Sequence, residues 1–147
     1  MVIANYDGLG DGHNYVSGPI YVFVDRDHSV YVSEHYNHRV MKWMKGAKEW
    51  IVAAGGLGEG NALAQLSDPR GLFVDVSGTV YVADFSNCRV TRWYNGATQG
   101  DVIVGQKSWE QQANQLNGPE GLSFDRHGNL YVVDCCNDRV QRFSIQI

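Results

Sequence analysis

Apolar and polar residues alternate along this chain in short runs, and the runs repeat. In the middle of the chain, Gly71-Leu-Phe-Val-Asp75 is an apolar run behind the turn signal Asp68-Pro69. Val76-Ser-Gly78 reads as a tight turn. Thr79-Val-Tyr-Val-Ala83 alternates β-branched and aromatic residues, as a pleated strand does. Asp84-Phe-Ser-Asn87 is a second turn, and Arg89-Val-Thr-Arg-Trp-Tyr94 alternates again. Asn95-Gly96 marks a hairpin turn, and Asp101–Val104 reads as a fourth strand. No segment of helical length carries a period of about 3.6 residues. The unit predicted is an antiparallel meander of four short strands, with no helix longer than about one turn.

The same unit returns in fixed register. Pro19, Pro69 and Pro119 are 50 apart (69 − 19 = 50, 119 − 69 = 50), and Asp25, Asp75, Asp125 and Tyr31, Tyr81, Tyr131 keep that step. So do Asn37-x-Arg39-Val40, Asn87-x-Arg89-Val90 and Asn137-x-Arg139-Val140. A fixed period of this size means stacked supersecondary units, each needing a neighbour to bury its apolar face. Four-stranded meanders at this period are the blades of a β-propeller. Strands are named A to D outward from the channel. The chain opens on a D-type strand, Val2-Ile-Ala4, aligned with Ile51-Val-Ala53 and Val102-Ile-Val104. It closes on a C strand, Arg139 to Phe143. The fold expected is all-β, a single three-blade domain whose repeats run about 1–44, 45–94 and 95–147, each in D-A-B-C order. Three blades leave open strand edges, which invite another chain. A two-fold homodimer in which Val2–Ala4 completes the last blade of the partner closes the ring.

Composition narrows the function classes. The 147 residues are 44% hydrophobic and 12% aromatic, which suits a folded globular chain. Net charge is -4 and the pI about 5.6, so no global basic field draws the chain to nucleic acid or to an anionic membrane. No apolar run approaches the roughly 20 residues that span a bilayer. Met1–Tyr6 lacks the basic and apolar regions of a signal peptide. Cys88, Cys135 and Cys136 are an odd number and make no closed disulfide framework. Adjacent Cys135 and Cys136 pair only through a strained ring, so the three read as small, partly buried turn thiols.

Asp68-Pro-Arg-Gly-Leu-Phe-Val-Asp75, Gly78-Thr-Val-Tyr-Val-Ala-Asp84 and Asn87-Cys-Arg-Val-Thr-Arg-Trp93 together resemble the NHL repeat. Pro119-Glu-Gly121, Gly128-Asn-Leu-Tyr-Val-Val-Asp134 and Asn137-Asp-Arg139 repeat the pattern. The first repeat departs: Tyr21 stands for the Gly of Pro-x-Gly, Glu34 for the Asp and Ser29 for the turn Gly. The resemblance covers essentially the whole chain and implies a six-bladed ring, of which this chain carries half.

Two classes of residue stand out. Glu34 with Arg39, Asp84 with Arg89 and Asp134 with Arg139 flank the B–C turn, where an arginine fork can grip a carboxylate. They recur in every blade, so they are read as structural turn pairs, not as three catalytic acids. Asn87 and its equivalents are read as tolerating left-handed turn geometry. Ile20, Arg70 and Glu120 after the proline vary inside this fixed frame, as do His35, Phe85 and Cys135 in the turn and His38, Cys88 and Asp138 beside Asn-x-Arg. Loops on a rigid scaffold carry function, and the D–A and B–C loops crowd one propeller face. Ile20, Arg70, Glu120, His35, His38, Phe85, Cys88 and Asp138 are therefore the candidate binding residues, with a protein or peptide as ligand. The spacing of His35, His38, Cys88, Cys135 and Cys136 matches no zinc motif, and no metal or cofactor is expected. No nucleophile elbow, phosphate loop or dinucleotide fingerprint appears, and Gly55–Gly60 reads as a flexible interblade loop. The chain reads as a non-catalytic scaffold. A divalent-metal lyase or hydrolase is the alternative, implied by the lyase branch of similar propellers. Single-stranded RNA binding is a further one, opposed by Glu34, Glu120 and Asp138 among Arg70, Tyr36, His35 and Phe85.

Overall fold

The computed structural model describes residue 3, residues 16–105 and residues 115–145. Its strands form three antiparallel sheets. The first blade is β1 (Pro19–Val24), β2 (Val30–Glu34), β3 (Arg39–Trp43) and β4 (Ile51–Gly55), in that spatial order. The second is β5 (Pro69–Val74), β6 (Val80–Asp84), β7 (Arg89–Trp93) and β8 (Asp101–Val104). The third has β9 (Pro119–Phe124), β10 (Asn129–Asp134) and β11 (Arg139–Ser144) among the described residues. The only helical pieces described are two three-residue 3-10 turns, Phe85–Asn87 and Cys135–Asn137. The expected opening strand, Val2–Ala4, lies outside the described residues except for Ile3, which sits in a bend.

Each A–B turn is built by one aspartate. Asp75 Oδ1 accepts the Ser77 and Thr79 amides at 2.9 Å each, and Asp125 Oδ1 accepts those of His127 and Asn129 at 2.8 and 2.9 Å. The turn position that needs positive φ is Gly78 (78°) or Gly128 (81°). In the first repeat that position is His28 (63°), so it is His28, not Ser29, that replaces the glycine. Asp125 is held at about 2, chiefly by hydrogen bonds from the Asn129 side chain and backbone. A carboxyl depressed in the folded state stabilises the fold above its unfolded pKa, and that support is lost as pH falls from about 4 towards 2. A carbon-13 titration of Asp125 is expected to show a midpoint near 2. A midpoint near the ordinary value of 3.8 would contradict the turn geometry.

Blades pack face to face. Tyr31, Val40 and Ala54 of the first blade share a core with Leu72, Val74, Val82 and Trp93 of the second. Val90 of the second blade packs with Leu116, Leu130 and Val132 of the third. The inner strands β1, β5 and β9 lie side by side, with Phe23, Phe73 and Phe124 in ring contact at 5.2 and 5.0 Å. Such edge-on and tilted aromatic pairs add to the apolar burial of the blades.

The Gly55–Gly60 connection is fastened to the next blade. Asn87 Nδ2 donates to the Gly60 carbonyl at 2.8 Å, and the Arg89 guanidinium donates to the carbonyls of Asn61, Ala62 and Gln65 at 2.9–3.1 Å. The Gly60 end of the glycine-rich stretch, and the residues just after it, are thus hydrogen-bonded to the B–C turn of the next blade.

Candidate binding face at the inner-strand mouths

The acid–arginine pairs all form. Arg89 Nε donates to Asp84 Oδ2 at 2.7 Å, Arg139 Nε to Asp134 Oδ2 at 2.7 Å, and Arg39 Nε to Glu34. All three carboxylates are fully buried. Their second oxygen accepts a backbone amide just before the next inner strand: Ser17 to Glu34 (2.6 Å), Ser67 to Asp84 (2.7 Å) and Asn117 to Asp134 (2.6 Å). One acid thus ties the B–C turn to the D–A loop in each blade. Burial pushes Asp84 up against the pull of its donors. At Asp134, burial also acts upwards, but the Asn117, Asn137 and Arg139 bonds win and hold it low.

The left-handed position of the B–C turn is not Asn87. Asn87 lies inside the 3-10 turn, with Nδ2 2.9 Å from Asp84 Oδ2. The next residue takes positive φ: His38 (50°), Cys88 (54°) and Asp138 (53°). The cause is the turn's closing bond, from the Cys88 and Asp138 amides back to Phe85 and Cys135. Two of the predicted binding positions, Cys88 and Asp138, therefore cap a turn, and His38 shares their left-handed backbone. The thiols of Cys135 and Cys136 are exposed and that of Cys88 is half-buried, so the first two are more open than expected.

The positions after the proline are set by β-bulges. The pairing of β1 with β2, β5 with β6 and β9 with β10 slips at Pro19/Tyr21, Pro69/Leu72 and Val132/Asp134. Ile20, Arg70 and Glu120 fall in those slips. A bulge re-aims a side chain out of the ladder. Here it brings Arg70 and Glu120 together at 3.4 Å across the second junction. Arg70 also donates to Asp68 at 2.9 Å, and its guanidinium carbon lies 3.5 Å from the Phe85 ring centre. Burial alone would lower Arg70, but the Asp68 bond and the charges of Asp68 and Glu120 raise it above the ordinary value. Glu120 takes the Cys135 thiol as a partner, which raises that thiol. Asp68 also holds His35 Nδ1 at 2.7 Å, and the Asp68 amide donates to His38 Nδ1 at 3.0 Å. His35, Arg70, Phe85 and Glu120 thus join one network through Asp68, with His38 at its edge. Ile20 stands exposed on the first blade, and Cys88 and Asp138 stay with their turns. Asp68 is the residue the sequence reading missed. Its signal was its place before the repeated proline.

Two stretches of the chain, residues 66–93 and 116–143, match the family model for the NHL repeat. They are NHL repeats. The matched stretches hold Arg70, Phe85 and Glu120, both 3-10 turns and two of the three acid–arginine pairs. The first repeat, with Tyr21, His28 and Glu34, lies outside them. No curated protein matches the chain. Solved structures share the fold at low identity. An auxiliary nutrient binding protein from Bacteroides thetaiotaomicron superposes with a TM-score of 0.67 and 14% identity over 86% of this chain and 37% of its own. Virginiamycin B lyase from Staphylococcus aureus gives 0.57 and 10% over 89% and 42%. A gluconolactonase from Xanthomonas campestris gives 0.60 and 18% over 83% and 36%. The chain spans about two-fifths of the length of these propeller structures.

A concavity of about 1220 Å³ opens on the opposite face, between the A–B turns, with Phe23, Phe73, Tyr81 and Phe124 in its wall and Ser77 and Asn95 at its rim.

Proposed function

We propose that this NHL-repeat chain is a non-catalytic binding module that takes a peptide segment of a protein partner across the D–A/B–C face. The observation that carries the reading is Arg70. Two bulges bring it beside Glu120, Asp68 orients it, and Phe85 lies under it, while part of the guanidinium stays open to solvent. A cation, two carboxylates and an aromatic ledge side by side suit a short segment bearing both charge signs. Arg and aromatic residues are the usual anchors of such contacts. A phosphate chain would meet Asp68 and Glu120 beside the one arginine, which disfavours RNA.

The competing reading is a divalent-metal lyase or hydrolase, by likeness to virginiamycin B lyase and gluconolactonase. The described residues fit it poorly. Among the described residues no three His, Cys, Asp or Glu side chains gather as a metal would need.

Peptides selected by the purified chain from a random displayed library test the proposal. Arg70→Ala is expected to weaken a recovered peptide by tenfold to a hundredfold, from the loss of about 1.5–3 kcal/mol of charged hydrogen bonding. Peptides insensitive to Arg70→Ala but abolished by Ser77→Arg would move the site to the opposite face. Stoichiometric divalent metal in the purified protein, with turnover of a lactone, would replace the module by an enzyme.

A further inference from the structure

The geometry points to a second site: the concavity between the A–B turns binds a flat apolar molecule that carries a carboxylate or sulfonate. This site is separate from the peptide face and does not depend on it.

The floor of the concavity is aromatic. Phe23, Phe73 and Phe124 belong to the inner strands β1, β5 and β9 and stay half-buried. Their rings follow one another at 5.2 and 5.0 Å, and Tyr81 meets Phe124 at 4.8 Å. The floor is thus a continuous apolar strip across two blade junctions. Both junctions lie inside the chain, so the strip does not depend on what adjoins the first or the third blade. The space above it, about 1220 Å³, admits a drug-sized body. Aromatic floors take flat rings in offset or edge-on contact.

The charged groups of the wall are of two kinds. The turn aspartates are already occupied. Asp75 and Asp125 each take two backbone amides on Oδ1, and their Oδ2 takes the hydroxyl of Tyr81 at 3.2 Å or of Tyr131 at 3.3 Å. Asp25 Oδ1 takes the Asp27 and Ser29 amides at 3.0 and 2.8 Å. The cations are Arg26, Lys42, Lys45 and Arg126. Among the described residues no carboxylate makes an ion pair with any of them. Lys42 rests over the Tyr31 ring, and Arg126 donates to the neighbouring His127. Exposed Asp27 stands beside Arg26 and weakens that end for an anion, which makes Arg126 the stronger anchor.

The repeat shows which of these side chains the turn itself does not need. The residue after the turn aspartate is Arg26, Val76 and Arg126 in successive blades, while the aspartate holds the same amides each time. Val76 is 80% exposed. An apolar tip between two arginines, over an aromatic floor, suits a ligand with an apolar body and a negative group. Arginine gives a carboxylate or sulfonate the stronger, charge-assisted kind of hydrogen bond.

The test uses 8-anilinonaphthalene-1-sulfonate, which joins a naphthalene and a phenyl ring to one sulfonate. The purified chain should bind one equivalent with a rise in fluorescence. Affinity should fall as salt is raised from about 50 to about 500 mM, because exposed charges are screened. Arg126→Glu should weaken binding by about tenfold or more, and Arg26→Glu by less. Lys48→Glu, the same charge reversal outside the wall, should leave it unchanged. N-phenyl-1-naphthylamine, which lacks the sulfonate, should bind about tenfold more weakly or worse. Amide shifts on titration should centre on residues 25–27, 75–78 and 125–128. If Arg126→Glu loses the β-sheet circular dichroism, the neutral analogue and the amide shifts decide on the unaltered chain. Equal affinity for the neutral analogue, tighter binding of the cationic dye proflavine, uptake of many equivalents without saturation, or shifts centred on residues 139–144 would each overturn the inference. Loss of dye binding in Arg70→Ala would overturn it too, by placing the dye on the peptide face.

Discussion

Arg89→Ala is expected to lower the melting temperature by about 10 °C or more. Removing one partner of a buried pair leaves an unpaired charge and costs about 3–5 kcal/mol. Near 150 residues, each kcal/mol moves the midpoint by roughly 4 °C. Asp84 would keep only its bonds from Ser67 and Asn87, and the carbonyls of Asn61, Ala62 and Gln65 would lose their donor. The loss therefore reaches the blade and the connection that leads into it. Asp84→Ala should act in the same direction, because the Ser67 amide loses its acceptor. Arg139→Ala makes the same chemical change in the third blade. Its side chain is a third exposed, so water re-solvates what is left and the cost should be clearly smaller. Calorimetry of the three variants checks this. Equal melting points for Arg89→Ala and Arg139→Ala would mean that burial does not set the strength of these pairs.

The array was legible because its signals agree. Alternation, turn residues and a 50-residue step all point to short antiparallel strands, and the blades follow. The turn pairs were legible for a related reason: an acid and an arginine five residues apart across a tight turn have few other places to go. The bulges were not. Nothing in Pro69-Arg70-Gly71 announces that the ladder slips there, and it is the slip that brings Arg70 to Glu120. Asp68 before a proline reads as a turn signal, whereas its carboxylate organises His35 and Arg70. By residue type Asn87 is the good candidate for the left-handed position and Cys88 a poor one, yet the positive φ falls on Cys88. There the closing bond of the 3-10 turn overrides residue preference. His28 is a similar case: a non-glycine held at positive φ because Asp25 fixes the turn around it, accepting the Ser29 amide at 2.8 Å.

Gly71→Ala is expected to loosen the junction between the second and third blades. A Cβ at Gly71 would run into the Glu120 carbonyl and come within 3.0 Å of the Gly121 Cα. Those are backbone atoms of β9, and they cannot rotate away as a side chain would. Relief requires β5 and β9 to separate, and that separation also opens the Phe73–Phe124 contact and parts Arg70 from Glu120. Overpacking of a tight site costs about 1–3 kcal/mol and more where backbone must shift, so a fall of roughly 10 °C is expected. The equivalent glycine of the third blade supplies the comparison. A Cβ at Gly121 would meet only the Val133 side chain, at 3.2 Å, and a rotamer change relieves it. Gly121→Ala should therefore cost about 1 kcal/mol or less in a single chain. The first repeat already carries Tyr21 at this position, half-buried against the first core, so the close approach belongs to the second junction and not to the repeat. Thermal melts of the two variants separate the cases. If Gly71→Ala melts with the unaltered protein, β5 and β9 are not as close as the structure places them.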